Sequence, residues 1–212
     1  SNKISKFILL STDKACSPLN LYGATKLSAE KLCASANNII GNKNIKLSIV
    51  RYGNVMGSRG SVLPTFLEQK KTGVLKITHK NMTRFHITLD DAVKLVNFSF
   101  QNMLGGEIFI PKLKSFKIID LAKIIAPKSK IKFIGLRPGE KIHEELVSVS
   151  EEQYLYDVKK NYVILNHLIE KRFKSKKYKK TSSDLNYNSG NKNFFMKAGE
   201  IKKLSKIKIM VS

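Results

Sequence analysis

Apolar and polar positions divide the first fifty residues into strand, helix and strand. Phe7-Ile8-Leu9-Leu10 is a short unbroken apolar run of the kind a buried strand shows. After the turn Cys16-Ser17-Pro18-Leu19-Asn20, the residues Ala29, Leu32, Cys33 and Ala36 recur at helical spacing. They predict a helix over residues 21–37 with Asn20 as its N-cap. Residues 45–51 are apolar and alternating and predict a second strand. Strand, helix and strand in that order form a β-α-β unit of a doubly wound parallel sheet.

The pattern continues less regularly. An amphipathic segment covers 62–70, and strands are predicted at 74–78, 106–110 and 131–135. The segment 83–89 precedes a helix that Asp90 would cap and that runs to Phe100; a short helix over 118–125 ends before Pro127. Tyr187-Asn188-Ser189-Gly190 and a helix near 200–206 close the chain, and no internal repeat is present. The expected organisation is the carboxyl half of a doubly wound sheet over 1–60, a smaller α/β substrate domain over 61–165, and a basic linker and tail over 166–212.

The chain has 212 residues, 42% of them hydrophobic, enough for a core of one or two small domains. No apolar run approaches the roughly 20 residues that span a bilayer, and the first residues lack the apolar stretch of a secretory signal. A cytoplasmic protein without membrane partners is expected, with Cys16 and Cys33 reduced. His79, His86, His143 and His167 show no ligand-like pairing, so no metal is expected. His143 beside Glu144 and Glu145 reads as a helix-start residue, and Met82 and Phe85 read as core.

A net charge of +23 raises the question of nucleic acid. The lysines are spread along the chain, which is a compositional bias, and the one dense cluster covers 171–180. It reads either as a basic arm with interleaved aromatics or as a solvated linker, and the second reading is preferred. Nucleic acid is not an expected partner.

The candidate chemistry lies near the start. Tyr22 and Lys26 stand at i and i+4 of the predicted helix, so the ammonium can lie over the phenol and favour the phenolate, a general base. By itself the spacing also suits a half-buried tyrosine beside a solvated lysine. Ser11-Thr12-Asp13-Lys14 follows the first strand at its carboxyl end, where open α/β sheets bind ligands. A surface ion pair of Asp13 with Lys14 is the plainer alternative.

Five motifs then stand in one order: Ser11-Thr12-Asp13-Lys14-Ala15, Tyr22-Gly23-Ala24-Thr25-Lys26, the run from Arg51-Tyr52-Gly53-Asn54-Val55 to Met56-Gly57-Ser58-Arg59-Gly60, Met82-Thr83-Arg84-Phe85, and Arg137-Pro138-Gly139-Glu140-Lys141. Together they resemble the inverting UDP-N-acetylglucosamine 4,6-dehydratases of the extended short-chain dehydrogenase/reductase superfamily, over about residues 5 to 165. The glycine-rich phosphate loop with which that family opens has no counterpart here; Gly53, Gly57 and Gly60 follow a later strand. The chain is therefore expected to be a carboxyl-terminal portion of such an enzyme.

The resemblance implies an α/β fold of Rossmann type, NADP or NAD as cofactor, a UDP-sugar substrate and a homo-oligomer. It implies that Tyr22 takes the C4 hydroxyl proton, that Lys26 holds the cofactor ribose, that Lys14 is the base at C5, that Asp13 is the acid for the C6 hydroxyl, and that Thr12 hydrogen-bonds near C4. Retaining relatives carry glutamate at the position of Lys14, so lysine implies inversion at C5. Ser11 and Asn54 are implied cofactor contacts with Tyr22 and Lys26. Asn54, Val55, Met56, Gly57, Ser58, Arg59, Arg84, Arg137 and Glu140 are implied substrate contacts, with the forked arginines suited to a diphosphate. A UDP-sugar 4-epimerase would reuse Tyr22 and Lys26 but has no task for Lys14. An inactive fragment with a basic binding tail is the third alternative.

Overall fold

The computed structural model describes residues 4–40, 44–58, 60–165, 178–182 and 184–204. Along the chain these form β1 (Lys6–Thr12), a 3-10 turn (Asp13–Ala15), α1 (Leu21–Ile39), β2 (Lys46–Tyr52), β3 (Asn54–Val55), α2 (Val62–Lys70), β4 (Val74–Ile77) and β5 (Thr83–Ile87). They continue as α3 (Leu89–Asn102), β6 (Ile108–Pro111), β7 (Ser115–Lys117), α4 (Ile118–Ile125), β8 (Lys130–Phe133), α5 (Val149–Glu152), β9 (Leu155–Val158), β10 (Asn161–Ile164), β11 (Lys179–Lys180), a second 3-10 turn (Lys192–Phe194) and α6 (Ala198–Leu204).

The chain divides into two units, and each is interrupted in sequence. The first takes residues 1–52, 90–112 and 145–187, and the second 53–89, 113–144 and 188–212. This partition differs from the linear division expected at 60 and 165. The reason lies in strand pairing: β6 joins β2 in parallel, and β10 joins β6, so residues far along the chain complete the first sheet. The expected tail also contributes to the cores, with Tyr187 buried in the first unit and Ser189, Ile201 and Leu204 buried in the second. Residues 171–177 of the basic cluster lie outside the described residues, but Lys179 and Lys180 form β11 opposite Asp157 and Tyr156.

The first unit is built on a six-stranded sheet in the order β1-β2-β6-β10-β9-β11. Its first three strands are parallel and the others antiparallel. Val50, Leu95, Phe109, Val158 and Val163 cluster in its core. The burial expected of residues 7–10 is not found: Phe7 is 45% and Leu10 46% exposed. Among the described strands β1 lies at the sheet edge, so no neighbour covers its outer side. On α1 the buried positions are Gly23, Glu30 and Cys33, while Leu32, placed on the apolar stripe by its spacing, is 70% exposed.

The second unit packs α2, α4 and α6 with the short sheets β3-β5-β7 and β4-β8. Its core joins Leu63, Phe66, Leu75, Ile77, Phe116, Leu121 and Ile125, and Met82 and Phe85 are buried as expected. Both α2 and α4 follow their apolar patterns to the residue; α4 buries Ile118, Leu121, Ala122 and Ile125, the spacing of one helix face.

Three smaller differences concern single turns or residues. The strand expected from 106 begins at Ile108, because Gly105 and Gly106 have φ of +112° and +94° and form a turn. Asp90 does not cap α3; the helix begins at Leu89, and Asp90 and Asp91 occupy its first turn, where their charges suit the helix dipole. No helix starts at His143.

Candidate active site

In the first unit, Thr12 ends β1 and caps the 3-10 turn, its hydroxyl oxygen accepting from Lys14 N at 3.4 Å. The same hydroxyl donates to Asp13 Oδ1 at 2.9 Å, and Lys14 Nζ donates to that oxygen at 3.0 Å. Asp13 is buried, whereas the Lys14 side chain is 32% exposed. Asp13 Oδ2 and the Ser11 hydroxyl are buried without a hydrogen-bond partner among the described residues. A buried oxygen left in that state is costly unless a ligand supplies the missing partner. The Asp13–Lys14 pair is thus no solvated surface bridge.

Helix α1 presents Tyr22 and Lys26 above this turn. Asn20 caps it by accepting from Gly23 N at 2.9 Å. Gly23 is required for close approach: a Cβ there would collide with the carbonyl oxygen of Lys14 and come within 2.9 Å of Pro18 Cβ. Helix and turn therefore touch backbone to backbone. Tyr22 is 53% exposed, and Lys26 Nζ donates to the Leu10 carbonyl at 3.3 Å, at the carboxyl end of β1. Burial, and next the charge of nearby Tyr22, push the Tyr52 phenol up.

The same unit holds a buried ionic cluster that the sequence pattern did not point to. Arg51 is fully buried and bound by Glu30 and Glu151. The Glu151 carboxyl is raised by burial, but the Arg51 hydrogen bonds and charge, with the Ser148 donors, outweigh this and hold it at about 2. Cys16 Sγ lies 4.0 Å from carboxylate oxygens of both Glu145 and Glu151. Burial, then Glu30, push the Cys33 thiol up to about 11. The signal available in sequence was an acidic residue, Glu30, at helical spacing with Gly23 and Cys33 on the buried face.

In the second unit a cavity of about 270 Å³ gathers most of the expected substrate contacts. Asn54, Val55, Met56, Arg84, Arg137 and Glu140 line it, and Met82 and Phe85 form part of its wall. Gly57 and Ser58 are not among its lining residues; Gly57 takes φ +79° in the turn after β3, and Ser58 Oγ donates to the Val55 carbonyl at 2.8 Å. Arg59 lies outside the described residues. Arg84 Nη1 donates to the Thr83 and Ile142 carbonyls at 2.7 and 3.2 Å, and its ion pairs with Glu140 and Glu144 are long, 3.8 and 3.6 Å. Glu140 Oε2 also accepts from Arg137 N at 3.2 Å. His143, instead of starting a helix, shares a 2.8 Å hydrogen bond with the Thr83 hydroxyl, which meets Ser189 Oγ at 2.7 Å. Burial, then the charges of Arg84 and His79, push the His143 ring down.

Parallel β1, β2 and β6, a capped 3-10 turn at the carboxyl end of β1 and the helix that follows define an α/β protein with a Rossmann-like parallel layer. The chain belongs to the polysaccharide biosynthesis protein family, whose model matches residues 1–166. It is 52% identical over 165 residues to the UDP-N-acetylglucosamine 4,6-dehydratase (inverting) of Campylobacter jejuni, covering 77% of this chain and 49% of that protein. It is 44% identical over 169 residues to the UDP-glucose 4-epimerase of Rickettsia conorii, covering 77% and 50%. The X-ray structure of Pen from Bacillus thuringiensis superposes with a TM-score of 0.83 at 35% identity, over 94% of this chain and 61% of that one. The chain spans about half the length of the curated relatives it matches. Among the described residues no helix is long and apolar enough to cross a membrane.

Proposed function

We propose that this chain carries the proton-transfer groups of a UDP-N-acetylglucosamine 4,6-dehydratase that inverts C5, acting with a nicotinamide cofactor, NADP or NAD. The observation that carries the reading is the Thr12-Asp13-Lys14 turn: a buried carboxylate whose Oδ1 is held by Thr12 and Lys14 while Oδ2 lacks a described partner, directly under the helix that bears Tyr22 and Lys26. The likeness to the Campylobacter jejuni enzyme, 52% identical over 165 residues, supports it. The buried Ser11 hydroxyl, also without a described partner, the exposed Tyr22 ring and Lys26 fit the nicotinamide and ribose of such a cofactor.

Tyr22 takes the proton of the C4 hydroxyl, and Lys26 favours the resulting phenolate. The cofactor, when bound, supplies the acceptor for the C4 hydride and returns that hydride to C6. The 4-keto group makes the C5 proton acidic. A proton shift along the 3.0 Å Lys14–Asp13 hydrogen bond converts ammonium and carboxylate into amine and acid. Lys14 then takes the C5 proton while Asp13 gives its proton to the departing C6 hydroxyl, releasing water and restoring the original charges. A proton drawn from water adds to the opposite face of C5 as hydride returns to C6, which inverts C5. Arg84 and Arg137 in the cavity of the second unit suit the diphosphate, and Asn54 and Glu140 supply polar contacts. A homo-oligomer is proposed with this reading.

Incubation with UDP-N-acetylglucosamine and NADP in heavy water, with and without a separately supplied glycine-rich amino-terminal half, tests it. A 4-keto-6-deoxy product carrying deuterium at an inverted C5 is the expected outcome by NMR. The likeness to UDP-glucose 4-epimerase favours one second reading. A C4 epimer without deuterium at C5 would establish it, since an epimerase leaves Lys14 idle. No product even with the complementing half would overturn both.

A further inference from the structure

Among the described residues Arg51 heads the fully buried side chains by volume, and the chemistry proposed above gives it no task. Its guanidinium makes five contacts: Nε to Glu30 Oε1 at 3.0 Å, Nη2 to Glu30 Oε2 at 2.6 Å and to Glu151 Oε1 at 2.9 Å, and Nη1 to Glu151 Oε2 and to the Leu146 carbonyl, both at 2.9 Å. Five donors thus meet five acceptors drawn from α1, the loop at Leu146 and α5. Glu151 is itself pinned, because Ser148 N and Oγ both donate to its Oε2 at 2.9 Å.

Such a knot is a poor route to stability alone. Burying ions costs several kcal/mol each, and apolar residues of like volume often serve as well. What it provides is geometry. Glu30 stands eight residues after Tyr22, so Tyr22, Lys26 and Glu30 climb α1 in one row of i, i+4 steps, each rising about 6 Å. On the strand side Arg51 pairs in register with Ser11, and Tyr52 with Thr12, at the end of β1 that leads into Asp13 and Lys14. With the contact of Gly23 against the Lys14 carbonyl near one end of α1, the grip on Glu30 gives the helix a second fixed point.

We propose that Arg51 is a positioning residue: by holding Glu30 bidentately it sets the rotation and axial placement of α1, hence of Tyr22 and Lys26, and through Glu151 and Leu146 it makes that placement depend on the docked 146–151 segment. The inference rests on Tyr22 and Lys26 being the reacting groups, but its test does not need turnover.

The full chain labelled with carbon-13 at tyrosine Cζ would be compared by NMR with Glu30→Gln, Glu151→Gln and Arg51→Lys, whose point charge cannot replace the fork. The expected result is a shifted and broadened Tyr22 resonance with an altered pH titration, while Tyr162 and Tyr187, packed edge to face on each other, keep their signals. A folded Glu30→Gln protein with a Tyr22 resonance and titration like those of the unaltered chain would overturn the proposal. If Glu30 and Arg51 variants fail to fold, Glu151→Gln, at the more exposed end of the knot, decides by the same signal. In a complemented enzyme the same variants should lower kcat by about a hundredfold with KM within about twofold. A displaced Tyr22 in a chain that never yields product would leave the positioning role standing and remove the dehydratase reading.

Discussion

Arg51 and Arg84 both lie in family motifs and both are flanked by two glutamates, yet their surroundings divide them. Arg51 has every donor matched by a protein acceptor at 3.0 Å or less and is fully buried. Arg84 is anchored through Nη1 alone at hydrogen-bond distance, keeps Nη2 and Nε at 3.8 and 3.6 Å from carboxylates, and lines a cavity. A motif match does not distinguish scaffold from ligand contact. Unfilled hydrogen-bonding capacity beside open space does, because an arginine whose donors are all used has nothing left for a phosphate.

The sharpest way to break this contrast is to remove each guanidinium. Arg51→Leu should cost about 3–5 kcal/mol in urea unfolding, since it leaves Glu30 and Glu151 buried without their cation. A loss below about 1 kcal/mol would show that the knot relaxes to water.

Acid addresses the same knot without mutation. Glu151 is held at about 2 when folded, against an ordinary 4.5, so its contribution is fully present above 4.5 and is lost as pH falls from about 4.5 towards 2. Stability should fall by on the order of 3 kcal/mol across that window. In Glu151→Gln this part of the decline should be absent from acid titrations followed by circular dichroism.

Gly23→Ala comes next. It forces the first turn of α1 away from the Lys14 carbonyl, so about 1–3 kcal/mol of stability should be lost in thermal unfolding. On the other side of the comparison, Arg84→Ala should weaken UDP binding by about tenfold or more in calorimetry, the value of a charged hydrogen bond. Its effect on unfolding should be smaller than that of Arg51→Leu. Equal destabilisation by the two arginine changes would erase the distinction.

Several elements were legible because local pattern and tertiary context agree in them. The helices α2 and α4 carry their buried faces in their own spacing, and Asn20 caps α1 as its side chain allows. The Thr12-Asp13-Lys14 turn and the Tyr22–Lys26 pair were placed correctly at a strand end and on the helix that follows. Leu32 and Leu10 are more exposed than their pattern predicts for a common reason: an apolar residue reports what it could bury, while its exposure depends on which neighbour the fold supplies. His143 departs from its expected role because its partners, Thr83 and, through it, Ser189, lie 60 and 46 residues away along the chain.

The sequence by itself determined the alternation of strands and helices, the candidate site residues that neighbour one another within 15 residues, and the family. Periodicity and local motifs act over one or two turns of backbone, and that is the range in which sequence is read directly. Tertiary structure alone decided the two interleaved units, the choice of Arg51 as scaffold and Arg84 as cavity wall, and the need for glycine at position 23. Each of these depends on contacts between distant segments, where burial and the count of available acceptors fix what a charged side chain can do.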